Sequence, residues 1–169
     1  MRVYVPLTLS GLAAAHGTGE IGPGPVTAYA VTEGLRVWLT YSDDIEELEY
    51  AALNRAAAAS LRLIAGRPDE ARRRVVVAVD VPDGAAVADP GQPLDASSLG
   101  EVRIARALAL AKAAAVHVDA DDAEPDIAAA AAALGAADLG DDDARFTVDG
   151  AEDHELLWFG IQEIPGLIG

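Results

Sequence analysis

Residues 43–65, DDIEELEYAALNRAAAASLRLIA, constrain the fold more than any other stretch of this chain. Acids crowd the first turns (Asp43, Asp44, Glu46, Glu47, Glu49). The bases Arg55, Arg62 and Arg67 come later, which matches the polarity of a helix dipole. Ser42 or Asp43 is placed to cap the start, and Gly66 and Pro68 stop the helix. At 1.5 Å per residue such a helix is roughly 34 Å long, about the width of a small domain. One apolar row reads Ile45, Leu48, Ala52, Ala56, Ala59, Leu63; a second reads Tyr50, Leu53, Ala57, Leu61, Ile64. Glu47, Asn54, Arg55 and Arg62 leave only a narrow polar stripe. A helix apolar around most of its circumference belongs in a core, and its alanines let neighbouring backbones approach. The rest of the chain has to supply a surface for it to lie on.

That surface reads as a sheet. Residues 75–81, VVVAVDV, are a continuous β-branched run suited to a central strand. Residues 2–5 alternate Val3 and Val5 with Arg2 and Tyr4. Arg2, the apolar run after it and Ala13 to Ala15 imitate a secretory signal, but the alternation, broken at Pro6, favours a first strand followed by a short helix from Thr8 to about His16. Further strands are expected at 26–32, at 101–105 on an edge, at 115–119 and at 155–159. Trp158 and Phe159 lie inside that last apolar strand and are expected in the core. Shorter helices are expected at 33–39 behind Thr32, from Asp122 or Glu124 to 137 with Pro125 in the first turn, at 141–148 and at 162–168. Residues 17–25 form a loop. So do residues 82–91, and that loop extends toward Gly100. Residues 108–114 fit no element cleanly.

The expected fold is α+β: one domain, a mixed sheet, and two strand–helix–strand pairs in a ferredoxin-like pattern around one long buried helix. Residues 2–5, the long helix and 75–81 make one pair; residues 115–119, the alanine helix and 155–159 make the other. A doubly wound parallel sheet is the alternative. The helix-free insertion after residue 82 argues against it.

With 169 residues the chain is long enough for a real core. It has no cysteine, which excludes disulfides, thiolate metal sites, iron–sulfur clusters and cysteine nucleophiles. Charge is divided unevenly. Residues 1–112 hold 11 basic and 14 acidic side chains; residues 113–169 hold one basic side chain, Arg145, and 14 acidic ones. Nucleic acid and anionic membrane are therefore unsuitable partners. No apolar run reaches the ~18–20 residues that a membrane-spanning helix needs.

The motifs that carry chemistry fail on inspection. Gly17, Gly19 and Gly22 form a G-x-G-x-x-G string, but an alanine helix precedes it and Pro23 and Pro25 follow, where the dinucleotide fingerprint needs a strand and then a helix. There is no phosphate-binding G-x-x-x-x-G-K-[ST] and no G-x-S-x-G. Asp119, Asp121, Asp122, Glu124 and Asp126 miss the EF-hand spacing, with Glu124 where glycine belongs and Ala130 where glutamate belongs. No cofactor is implied. His117 and Asp119 share a strand face. If the strands at 115–119 and 155–159 are neighbours, His154 could join them as a metal or acid–base cluster.

Several strings carry a resemblance: MRVYVPLT, ELEYAALNRA, RRVVVAVDVP, AVHVD and EDHELLWFGIQEI. Together they resemble a small, uncharacterised family of acidic proteins from high-GC actinobacteria, over nearly the whole chain. The resemblance implies a cytosolic bacterial protein. It carries no known activity and transfers no catalytic residue. The first expectation for function is a non-enzymatic binding or regulatory protein. It would dock a basic partner protein through Asp141, Asp142, Asp143, Glu152 and Asp153. The competing expectation is a small metal-dependent or acid–base enzyme using His117, Asp119 and His154. A third is a subunit whose apolar helix packs against copies of itself.

Overall fold

The structure, a computed structural model, describes residues 1–88 and 98–169. The middle of the loop expected after residue 82 lies outside the described residues. The first strand, β1 (Arg2–Leu7), ends where Thr8 caps helix α1 (Leu9–Thr18), its hydroxyl accepting from the Gly11 amide. Gly19 closes α1 in the left-handed region, at φ 82°, a conformation that glycine adopts without penalty. The two-residue strand β2 (Glu20–Ile21) and strand β3 (Val26–Tyr29) follow, with cis peptides at Gly22–Pro23 and Gly24–Pro25 between them. Thr32 caps α2 (Glu33–Trp38) as expected. The long helix is α3 (Ile45–Ala65), and its cap is Asp44, whose carboxylate accepts from the Glu46 and Glu47 amides.

Strand β4 (Val75–Asp80) is buried along all but its last residue. After it come β5 (Ala86–Val87), β6 (Glu101–Ile104), β7 (Leu108–Ala109) and β8 (Ala113–Val118). Helix α4 (Glu124–Asp138) carries Pro125 in its first turn, and Asp141 caps α5 (Asp142–Asp149). A single-turn helix at Gly150–Asp153, the strand β9 (Leu157–Phe159) and α6 (Ile164–Ile168) complete the chain.

Seven strands form one sheet in the order β5-β6-β3-β1-β4-β8-β9, while β2 and β7 pair separately. The α+β class is as expected, but every pairing in the sheet is antiparallel rather than mixed. The reason lies in β3. It turns the chain back alongside β1, so α3 sets out from the Arg2 end of the sheet and delivers β4 antiparallel to β1. Strands β3 and β4 thus run the same way on either side of β1, and α3 crosses over it. The split strand–helix–strand unit is β3–α3–β4, with β1 inserted. The second pair, β8 and β9, lies side by side. Strand β6, expected at an edge, is flanked by β3 and the short β5.

The core divides by sheet face. On one face Tyr4, Tyr29, Val76, Ala78 and Ala115 meet Leu35 of α2 and Ala52, Ala56 and Ala57 of α3. On the other, Val3, Val5, Val75, Val77, Val116 and Val118 meet Leu12 of α1 and Ile164 of α6. A third cluster joins Leu61 and Ile64 of α3 to Ile127, Ala130 and Leu134 of α4. At this helix–helix contact the alanines Ala130 and Ala131 fill in between the larger Leu61, Ile64, Ile127 and Leu134.

Candidate functional site

The three residues with candidate catalytic chemistry lie in one region but serve separate contacts. Asp119, at the end of β8, is fully buried and Arg74 is only 4% exposed. The Asp119 carboxylate accepts from the Arg74 amide (2.8 Å), Nε (2.9 Å) and Nη2 (2.9 Å). Such a forked, charge-assisted pairing fixes both side chains. Arg74 Nη2 also donates to the His154 carbonyl at 3.0 Å. The His154 imidazole turns away to Asp126, at 2.7 Å from Nε2 to Oδ2. His117 lies between Val76 of β4 and Trp158 of β9 in the ladder. Burial, with a further contribution from Arg2, pulls its imidazole below the ordinary histidine value, so the neutral ring is favoured. Arg74 therefore draws Asp119 and the backbone of His154 together, while the His154 imidazole turns to Asp126 and His117 takes no part in that cluster. Among the described residues, no group of three or more His, Asp or Glu side chains is placed to hold a metal ion.

Trp158 departs from expectation. It is 64% exposed, because β9 is the outermost strand and α3 lies over the middle of the sheet. Phe159 is half-buried against the α1 and α6 side. An apolar strand at a sheet edge leaves one row of side chains uncovered, and sequence alone does not mark which strand is last.

The five acids assigned to partner binding lie on or beside α5. Asp141 is its cap, with Oδ1 accepting from the Ala144 amide at 3.0 Å, and Asp142 and Asp143 fill its first turn. Glu152 and Asp153 lie in the single-turn helix that follows. All five are exposed. The turn between α4 and α5 runs through Gly140 in the left-handed region, at φ 95°. Its amide donates to the Ala137 carbonyl and that of Asp141 to the Ala136 carbonyl, which closes the end of α4.

This hairpin also shows what the charge pattern alone did not reveal. Leu139 is 91% exposed and Phe146 is 80% exposed, the two most exposed large apolar side chains among the described residues. Phe146 has Asp142 and Asp143 one turn before it and Asp149 one turn after, positions that share its helix face. Sequence spacing held the signal: Ala144 and Val148 are four apart on one face of α5, and Val148 packs on the core, so Phe146 between them must face out. The hairpin is fixed to the body by packing of α4 on Leu61 and Ile64. The Arg62–Asp138 pair, with contacts at 2.9 and 3.0 Å, adds to this and holds the Asp138 carboxyl below the usual carboxylate range.

Fold and surface together define an antiparallel α+β domain that displays an acid-flanked apolar hairpin on one side of its long helix. The chain belongs to a family of unknown function (DUF6912), whose model matches residues 1–168. Membership in an uncharacterised family is what the strings at both ends of the sequence indicated. No curated protein and no solved structure matches the chain. No helix among the described residues is long and apolar enough to cross a membrane.

Proposed function

We propose that this is a cytosolic bacterial binding protein that docks a basic partner protein through the α4–α5 hairpin. The observation that carries the reading is the exposure of Phe146 beside Asp142, Asp143 and Asp149 on one face of α5, with Leu139 exposed in the turn before it. A lone exposed apolar residue is ordinary. A large aromatic side chain held out on a helix with three carboxylates on its own face, and Arg145 as the one base of that helix, has the layout of an interface anchor with a polar rim. The acids steer the encounter over long range, and the aromatic ring supplies contact once docked. The fitting partner presents an apolar pocket rimmed by arginine or lysine. Net charge of magnitude about 2–8 keeps a small domain soluble; residues 113–169 alone carry 14 acids against one base, well beyond that need.

The test is capture from the native host with four proteins: unaltered, Phe146→Ala, the triple change Asp141→Asn, Asp142→Asn, Asp143→Asn, and the double change Glu152→Gln, Asp153→Asn. The unaltered protein should retain a partner at low salt and lose it as the Debye length shrinks to about 8 Å at physiological ionic strength. The charge variants should slow association with that purified partner, and Phe146→Ala should speed its release, all with unchanged thermal melts. A partner whose binding ignores salt and all three variants would overturn the reading.

A further inference from the structure

A cavity of about 470 Å³ opens where β1 and β3 part. Strand β1 pairs with β4 along its whole length, six residues, but with β3 only at Tyr4 and Tyr29. Two residues account for this. Pro6 has no amide hydrogen, so the next rung toward β3 lacks a donor from β1. On the other side, the Leu7 carbonyl is held by the Ser60 hydroxyl at 2.6 Å, which keeps the end of β1 with β4 and α3. Strand β3 follows β6 instead, pairing Val26 to Tyr29 with Ile104 to Glu101.

The gap is walled by small and apolar groups, Ala14 and Ala15 of α1 on one side of the sheet and Ala59 and Leu63 of α3 on the other among them. Its volume is in the range of small-molecule sites, which are mostly apolar with a few polar groups that set orientation. One lining residue is ionisable, Glu20, and it is exposed at the rim. Its carboxylate has no ion pair among the described residues. The Thr18 hydroxyl accepts from the Glu20 amide at 3.3 Å, which fixes the backbone there.

Glu20 is the one charged side chain lining this apolar cavity, so its mouth selects by charge as well as by shape. We propose that this cleft is a binding site for a primary amine with an apolar body, the alkyl portion lying between α1 and α3 and the ammonium group at Glu20. None of the residues lining this cleft belongs to the hairpin, and neither reading depends on the other.

The test is calorimetric titration of the full chain with n-octylamine, 1-octanol, octanoate and ethylamine. Octylamine should bind saturably at one site. Octanol should bind about fivefold more weakly, the upper end of what an exposed ion pair contributes. Octanoate and ethylamine should show no saturable binding. Glu20→Gln should bring octylamine down to the level of octanol. Ala14→Phe, at an exposed position that puts little strain on the fold, should remove both. The triple change at Asp141 to Asn, Asp142 to Asn and Asp143 to Asn should leave octylamine binding unchanged, which separates the cleft from general attraction to acidic surface. Octanoate binding as well as octylamine, octylamine binding unaltered by Glu20→Gln or Ala14→Phe, or an absence of saturable octylamine binding would each overturn the proposal.

Discussion

Removing one member of the Arg74–Asp119 pair should destabilise the protein far more than removing both. Arg74→Met leaves the Asp119 carboxylate fully buried, with the residue 74 amide as its remaining donor from that residue. Breaking a buried pair in this way costs about 3–5 kcal/mol, because a charge is left without its counterion. Small domains are stable by about 5–15 kcal/mol in total, so the loss is a large share. With a urea slope of about 2 kcal/mol per molar, a loss of about 4 kcal/mol lowers the midpoint by about 2 M. Adding Asp119→Asn removes the buried charge and keeps a carbonyl oxygen to accept from the residue 74 amide. Both variants leave the His154 carbonyl without its donor; the double variant replaces the unpaired charge with one amide group seeking a partner, worth about 1–3 kcal/mol. The double variant should therefore melt at higher urea than Arg74→Met alone. If instead the losses from Arg74→Met and Asp119→Asn add in the double variant, the two groups are not coupled and this reasoning is wrong.

Ser60 and His117 give two further tests. The Ser60 hydroxyl, fully buried, donates to the Leu7 carbonyl and accepts from the Val75 amide at 3.0 Å, bridging β1 and β4. Ser60→Ala should cost about 1–3 kcal/mol in urea melts, since it strips a partner from buried backbone groups; a loss near zero would mean that the strands close and bond directly. His117 titrates below its ordinary 6.5 in the fold, chiefly through burial. As pH falls, the unfolded chain takes up that proton first. The contribution of His117 is therefore complete above about 6.5 and is lost as pH drops through the lower folded value. Stability measured from about pH 7 to 5 should fall relative to His117→Gln, and parallel curves for the two proteins would refute the assignment.

The elements most legible in the sequence were those whose local chemistry and burial agree. Helix α3 announced itself through its acid-to-base polarity and apolar rows, and β4 through consecutive valines. Even in α3 the apolar rows overstated burial, since Ile45 and Tyr50 are each 50% exposed. Both lie on the first turns of α3, near the rim of the sheet, and periodicity does not register where a helix overhangs its support. The antiparallel delivery of β4 depended on β3 turning the chain before α3, a non-local event that leaves no trace in either segment. Trp158 misled for the same reason, because strand composition is blind to strand order. Of the candidate site, the five acids were visible as charge. Phe146 was not, although the spacing of Ala144 and Val148 encoded its outward direction.

The arginine run at residues 72–74 explains how so uneven a charge distribution is maintained. Three consecutive bases before a strand could be mistaken for an anion-binding patch, but each is turned to a structural acceptor. Arg72 donates to the Ile64 carbonyl at 2.8 Å and to the Arg67 carbonyl, closing the end of α3, where a cation also suits the helix dipole. Arg73 donates to the Asp119 carbonyl through Nε and Nη2, and approaches Asp121 at 3.5 Å. Arg74 takes the Asp119 carboxylate and the His154 carbonyl. In sequence order the three side chains tie the end of α3, the junction leading from β8 toward α4, and the segment before β9. Basic charge is thereby turned inward at the joints that attach the acidic third, while the carboxylates of α5 and the turn after it stay in solvent. The run stabilises attachment without neutralising the hairpin surface, so the negative field around Phe146 survives folding. Exchanging these arginines for lysines would keep the formal charge. It would lose the forked geometry at Asp119, because an ammonium group cannot span both carboxylate oxygens and a carbonyl in the same plane.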